Sequence, residues 1–272
     1  MKRRELIQGL GASSLLLGLP RVAEAGKADF KLHNKVGQKI LLDSLNNRNF
    51  WDGIEVERPA DALYDEFKIK PLGQGYLTHV SGDGQTNFTQ EQVVVTVLYL
   101  QDKLPRHMAG AKAMPYISKG IDPNFGVEYT DLLFLGDMDF FYCEYYQRMY
   151  RYDLPDGRTI CAFERMDESR VGSDLWNEYL RIRKQTLSTV ELRWMFNDIV
   201  PVTEAFGMYI VEPGDRYDTR VTLTAKLRFG SGTGLLAQWG SEIPYLVRSG
   251  TLNGFDASVA VAKEVKKGTY SP

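Results

Sequence analysis

The strictest pattern in the chain is the alternation of apolar and polar side chains from Thr219 to Phe229. A period of two places every second side chain on the same side of a β-strand. This strand therefore has one apolar face and one polar face. The apolar positions are Val221, Leu223, Ala225, Leu227 and Phe229.

The segment after this strand is predicted to supply the cover that its apolar face needs. The glycine-rich run from Gly230 to Gly234 interrupts the strand and is predicted to act as a hinge. From there to Lys267 the spacing is helical, with Pro244 and Gly250 as predicted breaks. A sheet with one polar face must bury the other against a second layer. The predicted apolar stripe of this C-terminal helix is Leu252, Phe255, Val259 and Ala262.

A turn signal predicts a second pair of strands, Asp139–Tyr152 and Arg158–Met166. The tetrapeptide from Leu154 to Gly157 has Pro at the second position and Gly at the left-handed position, which is typical of a type I turn with a glycine bulge. In that register Arg148 lies opposite Glu164, Met149 opposite Phe163, and Arg151 opposite Cys161. One face then carries Glu144, Arg148 and Glu164, and the other carries Phe141, Cys143, Tyr145, Met149, Cys161 and Phe163.

The two cysteines, Cys143 and Cys161, share the apolar face of this predicted hairpin but lie far from each other along it. A disulfide needs Cα atoms about 4.4–6.8 Å apart. We therefore predict two buried free thiols. The sequence contains no Cys-x-x-Cys motif, so it does not indicate a structural zinc or a haem.

Further elements are predicted on both sides of the hairpin. Thr89 and Gln92 form a Thr-x-x-Gln capping box, so a helix begins there and ends near Pro105. Residues 50–75 show no consistent period and are predicted to be irregular. The other predictions are a helix over Lys31–Asn46 and strands over Gly75–Val80, Val190–Phe196 and Ala205–Glu212.

Two segments resemble the START/polyketide-cyclase (SRPBCC, helix-grip) superfamily. Thr89–Lys112 is similar to the first helix of that family and its exit, with an aspartate, a Leu-Pro pair and a lysine. Val202–Gly232 is similar to its two late strands, with Phe-Gly-x-Tyr-x-x-x-Pro and Thr-Arg-Val-Thr stretches. The resemblance covers residues 75–267. Residues 26–74, a helical lead-in, and an insertion at about 168–188 have no counterpart in a minimal domain of this family.

The resemblance implies an α+β helix-grip fold, a curved antiparallel sheet wrapped on a long C-terminal helix, here with an extra N-terminal helical segment. It also implies a cavity between sheet and helix that binds lipids, sterols or other apolar molecules. An alternative is that the same side chains pack a solid core. The candidate ligand-binding residues are Tyr145, Met149, Phe163, Trp194, Leu223, Leu227 and Phe255.

Signals for catalysis, metals and cofactors are weak. His33, His79 and His107 are not at metal-ligand spacing, and no Gly-x-Ser-x-Gly elbow occurs. Asp137, Asp139 and Glu144 could supply an acid and a base, but we interpret them as solvated carboxylates at strand ends. We assign no catalytic residue, no metal ligand and no cofactor. The tyrosines at 142, 145, 146, 150 and 152 are attributed to sheet packing.

The first 25 residues are predicted to be a cleaved signal peptide. Arg3-Arg4 precedes a short, glycine-interrupted apolar run, and Ala23-Glu24-Ala25 supplies the small residues of a cleavage site. The arginine pair resembles the twin-arginine export pattern, which predicts a periplasmic protein. The leader has four basic and two acidic residues, a net charge of +2, so the total of −2 becomes −4 without it. This charge gives no footprint for nucleic acid, and no later segment is apolar enough for stable membrane insertion.

Three functions follow from these observations. The first is a soluble periplasmic carrier or sensor that binds a hydrophobic small molecule. The second is a cyclase- or aromatase-like enzyme that uses the same cavity. The third is an envelope assembly or interaction protein with a vestigial cavity, in which the insertion at about 168–188 binds a protein partner of unknown identity.

Overall fold

The computed structural model describes residues 27–137, 141–191, 199–214, 216–230 and 244–271, which form a curled sheet closed by a long C-terminal helix. The predicted leader, Asp139, Trp194 and the glycine-rich run after Gly230 lie outside these ranges. The strands are β1 Glu66–Pro71, β2 Tyr76–Gly82, β3 Ala111–Ala113, β4 Tyr116–Ile121, β5 Glu128–Asp137, β6 Tyr142–Asp153, β7 Thr159–Met166, β8 Ile199–Pro213 and β9 Thr219–Phe229. The helices are α1 Lys35–Asn46, α2 Gln90–Tyr99, α3 Glu168–Val171, α4 Ser173–Thr189 and α5 Pro244–Lys266, with a 3₁₀ helix at Gln101–Arg106.

The strands form one sheet in the order β1-β2-β9-β8-β7-β6-β5-β3, with β4 also paired to β5. The pairing is antiparallel except for a short parallel contact between β6 and β8. The helices α2 and α5 lie on the concave face and contact each other. This is the predicted α+β helix-grip fold, including the extra helical segment at the N-terminal end.

The predicted register of the β6–β7 hairpin is confirmed. Arg148 pairs with Glu164, Met149 with Phe163, and Arg151 with Cys161. Gly157 takes φ +86°, a left-handed conformation that favours glycine. The turn chemistry therefore determines which side chains face the concave side, including Met149 and Phe163.

The helices of the concave face begin and pack largely as their sequences predict. At the start of α2 the side chain of Thr89 accepts a hydrogen bond from the Gln92 amide at 3.2 Å, and Gln92 Oε1 accepts one from the Thr89 amide at 3.0 Å. The predicted break at Gly250 is wrong, because α5 runs through it without interruption. Within the described residues, no helix is both long and apolar enough to cross a bilayer. The predicted stripe of α5 is buried at Leu252, Phe255, Val259 and Ala262.

The N-terminal segment covers part of the convex face. The backbone amides of His33 and Asn34 donate to the two carboxylate oxygens of Glu164 in β7, at 2.8 and 2.7 Å. Asn34 also caps α1 by accepting from the Gly37 amide at 2.9 Å, so the helix begins at Lys35 rather than at Lys31. The segment contributes Phe30 and Leu41 to an apolar cluster that includes Tyr150, Ile160, Phe206 and Met208 of the sheet.

Three other predictions need correction or extension. Residues 50–75 are not irregular throughout, because Glu66–Pro71 forms β1 and pairs with β2. The insertion at about 168–188 folds into α3 and α4, and Tyr179 of α4 stacks on Tyr146 of the convex face. At the predicted strand Val190–Phe196, α4 extends to Thr189, the first two residues are not in a strand, and residues 192–196 are not described.

Both cysteines are buried and free, as predicted. Burial raises the pKa of each thiol to about 12, and only the thiolate is nucleophilic. We expect neither Cys143 nor Cys161 to react with iodoacetamide at pH 8 in the folded protein, and both to react in denaturant. Mass spectrometry of intact protein measures the number of adducts. A rapid reaction in the absence of denaturant would contradict this burial.

Candidate ligand-binding cavity

An inner cavity of about 90 Å³ lies between the concave face of the sheet and α5. It adjoins a second space of about 170 Å³, which we call the recess. The residues that line both spaces are Met108, Phe134, Leu227 and Gly250.

The structure brings most of the predicted ligand-binding residues to this cavity. Tyr145, Met149 and Phe163 line it from β6 and β7, and Leu223 and Leu227 line it from β9. They meet there because the strand alternation places them all on the concave face. The other two candidates do not contribute: Trp194 lies outside the described residues, and Phe255 is fully buried in the core and does not line the cavity.

Sequence reasoning missed the polar lining and the glycines of α5. Gln101 comes from the 3₁₀ helix and Gln147 from β6, whereas Gly250 and Gly254 come from α5. Residues four apart lie on the same face of a helix, so the spacing of the glycines was a usable signal. A Cβ atom at Gly250 would meet no heavy atom within 4 Å. The α5 wall of the cavity is therefore backbone at this point.

A chain of hydrogen bonds runs along one side of the cavity. The Tyr145 hydroxyl donates to Gln147 Oε1 at 2.7 Å, and Gln147 Nε2 donates to Gln101 Oε1 at 3.1 Å. Gln101 Nε2 lies 3.2 Å from the sulfur of Met149. Burial raises the pKa of Tyr145 well above its usual value. The polar groups on this side are therefore neutral at physiological pH.

The opposite side of the cavity is neutral as well. Thr251 of α5 and Thr78 of β2 share a hydrogen bond of 2.8 Å, and Ser258 donates to the Tyr209 hydroxyl at 3.3 Å. Burial raises the pKa of Tyr209 to about 12. None of the described residues that line the inner cavity is charged.

Two of the three carboxylates considered as an acid and a base are described, and they do not meet at the inner cavity. Asp137 lies at the recess, 3.4 Å from Lys112, whereas Glu144 binds Arg183 of α4 on the outer face at 2.7 Å. Asp139 is not described.

The three histidines, which the sequence does not predict to be metal ligands, lie on different elements of the fold. His33 lies on the convex face, 3.9 Å from Asp122, and His79 of β2 bonds to Glu66. His107 follows the 3₁₀ helix. The described residues contain no group of three or more His, Cys, Asp or Glu side chains that could hold a metal ion.

A half-barrel sheet closed by a C-terminal helix, with a cavity between them, defines the START-like helix-grip class of folds. The chain is similar to human STARD10, with 6% identity over 90% of this chain and 86% of that one, and a TM-score of 0.54. It is also similar to human StAR-related lipid transfer protein 5, with 13% identity over 85% of this chain and 96% of that one, and a TM-score of 0.51. No protein-family model and no curated protein sequence matches it. At these identities the likeness shows a shared fold.

Proposed function

We propose that the mature chain is a soluble periplasmic protein that binds a hydrophobic small molecule between its sheet and α5, as a carrier or sensor without catalytic turnover. The observation that carries the proposal is the character of the inner cavity. Its walls are apolar, its polar atoms form a neutral hydrogen-bonded chain from Tyr145 to Gln101, and a bare stretch of helix closes it at Gly250. Apolar walls with a few oriented polar groups suit the recognition of an uncharged ligand.

Entry of the ligand requires side chains to move. A drug-sized ligand needs a pocket of about 300–1,000 Å³, and the inner cavity measures about 90 Å³. Three methionines line the inner cavity, Met108, Met114 and Met149, and Met108 also lines the recess. Methionine is unbranched and changes rotamer easily, so movement of these side chains would enlarge the space.

Export is the second part of the proposal and is supported by the leader. The arginine pair at Arg3-Arg4, the short apolar run and the Ala-x-Ala site together favour the twin-arginine route. Proteins that follow that route cross the membrane folded. A ligand could then be acquired either before or after export.

The full chain, expressed with its leader, tests both parts. We expect the cleaved protein in the periplasmic fraction, and Arg3→Lys/Arg4→Lys to remain in the cytoplasm. Native mass spectrometry of the periplasmic form, followed by solvent extraction, is expected to show a co-purifying apolar molecule. Titration of the emptied protein with cis-parinaric acid is expected to give saturable fluorescence. Absence of both the retained molecule and the saturable signal would reject the binding proposal.

A second candidate function is favoured by the small volume of the cavity. An envelope interaction protein with a vestigial cavity fits a space of about 90 Å³ without any movement of side chains. It predicts no retained ligand, no binding of cis-parinaric acid, and one stable partner in pull-down experiments from the periplasm. The cyclase alternative needs a group that exchanges protons near neutral pH, and the phenols of Tyr145 and Tyr209 both have raised pKa values.

A further inference from the structure

A second cavity lies at the edge of the sheet, and its described lining includes no residue of α5. It is an apolar groove of about 740 Å³ between β4, β5 and the last residue of α2. We call it the lateral groove. This volume lies within the range of small-molecule sites, about 300–1,000 Å³. Its side chains include Tyr99, Tyr116, Lys119, Ile121, Glu128 and Thr130.

The lateral groove contains a buried hydroxyl without a partner. Thr130 is 1% exposed, and its Oγ1 makes no hydrogen bond. Buried hydroxyl groups in folded proteins nearly always have a partner, because leaving one unpaired is unfavourable. Two other buried threonines, Thr78 and Thr251, do have hydrogen-bond partners, because their hydroxyls bond to each other at 2.8 Å. A ligand in the lateral groove would supply the missing partner when the Thr130 side chain turns its hydroxyl towards the groove that it lines.

Only one layer of side chains separates the lateral groove from the inner cavity. Thr130 of β5 lies directly opposite Met149 of β6 in the sheet, and opposite residues point to the same face. Thr130 lines the groove, whereas Met149 lines the cavity. The Tyr116 hydroxyl, in the groove, accepts a hydrogen bond of 2.9 Å from the amide of Gln101, which lines the cavity. The dividing layer is thus Met149 and Gln101.

We infer that the lateral groove and the inner cavity are two compartments of one binding site for an elongated amphipathic molecule. This inference rests on the proposed binding function. The apolar end of the molecule occupies the inner cavity. The volume of this cavity by itself corresponds to roughly three water molecules. The remainder passes Met149, whose unbranched side chain moves aside, and lies in the lateral groove, where a polar atom of the ligand bonds to Thr130.

The charges at the rim indicate an uncharged polar group on the ligand. Glu128 and Lys119 line the groove with opposite charges. Burial and the nearby Glu128 carboxylate raise the pKa of the Tyr99 hydroxyl, and the Lys119 ammonium lies 6.0 Å from the centroid of the Tyr99 ring. These two charges are of opposite sign, so together they give the groove no net charge that would select an ion of one sign. A neutral hydroxyl or carbonyl is therefore the group that Thr130 recognises.

Competition with bound cis-parinaric acid tests the inference, with 1-dodecanol and n-dodecane as paired probes. In the natural protein we expect the alcohol to displace the fluorophore at a concentration roughly threefold to tenfold lower than the alkane, the range of one hydrogen bond. Thr130→Val removes the hydroxyl and keeps the shape, and it is expected to abolish this preference. Thr130→Ser is the matched control that keeps the preference. Neither change removes a native hydrogen bond, and Thr130→Val also removes an unpaired buried hydroxyl, so it is expected to unfold at a urea concentration no lower than that of the natural protein.

The position of the probe is tested with dodecanol carrying a diazirine at its terminal carbon. Light-induced adducts are expected on peptides of β9 or α5, which line the inner cavity, while the Thr130→Val effect locates the hydroxyl in the groove. An unchanged preference in Thr130→Val would overturn the inference and leave the proposed function intact. Adducts confined to β4 and β5 would overturn it too, because the groove would then be a separate site. Failure of the natural protein both to retain an apolar molecule and to bind cis-parinaric acid would reject the proposed function itself.

Discussion

Replacing Gly250 by leucine is expected to weaken the binding of cis-parinaric acid at least tenfold, or about 1.4 kcal/mol. Gly250 lines both the inner cavity and the recess. A Cβ atom added at this glycine would have no heavy atom within 4 Å. A leucine side chain there fills space that a ligand needs. Fluorescence titration of the emptied protein measures the effect.

The same variant is not expected to lose stability. Glycine in the interior of a helix is less favourable than alanine by about 0.5–1 kcal/mol, so removing it from α5 stabilises the helix. Gly250→Ala is the matched control, because it has the same backbone benefit but adds a single methyl group. We expect it to bind the probe nearly as well as the natural protein. Equal affinity of Gly250→Leu and Gly250→Ala would show that the ligand does not use this space.

The second large effect is expected on stability: Arg148→Ala should lower the free energy of unfolding by about 3–5 kcal/mol. The Arg148 guanidinium binds Asp131 through two hydrogen bonds of 2.7 and 2.8 Å and Asp122 through one of 2.9 Å. Both carboxylates are fully buried. Without the arginine they are left as uncompensated buried charges, which is the costly outcome. Urea unfolding followed by tryptophan fluorescence measures the loss.

Arg151 of the same strand provides the control. It pairs with Glu91 and Asp153, whose side chains are 61% and 62% exposed. Such exposed pairs contribute about 0–1 kcal/mol, so Arg151→Ala is expected to be nearly neutral. The variant Arg148→Met/Asp122→Asn/Asp131→Asn should recover much of the lost stability, since no charge remains buried. Similar losses for Arg148→Ala and Arg151→Ala would contradict this account.

Local signals in the sequence were sufficient to predict the concave face. The Pro-Asp-Gly turn determines the β6–β7 register, and the alternation in β9 determines which of its residues face inward. Both signals act over a few residues, and together they place Tyr145, Met149 and Leu223 on the cavity wall. Phe255 shows the limit of this reasoning. A helix stripe identifies buried residues but does not separate those that pack the core from those that border a space.

The convex face depended on contacts that no local pattern records. The predicted hairpin places Arg148 beside Glu164, yet Arg148 binds Asp131 and Asp122 instead. Glu164 is occupied by the amides of His33 and Asn34, about 130 residues earlier in the chain. The polar wall at Gln101 and Gln147 was missed for a similar reason, because two neutral amides give no periodic signal and meet only in the folded chain.

The attachment of the N-terminal segment to Glu164 also constrains the order in which the chain can assemble. His33 and Asn34 are synthesised about 130 residues before Glu164 of β7, so their amides cannot form these hydrogen bonds until β7 has been synthesised. Contacts between residues this far apart in sequence form slowly, because closing the intervening loop has an entropic cost. Docking of this segment on β7 is therefore expected to be one of the later steps of folding, after the β6–β7 hairpin has formed.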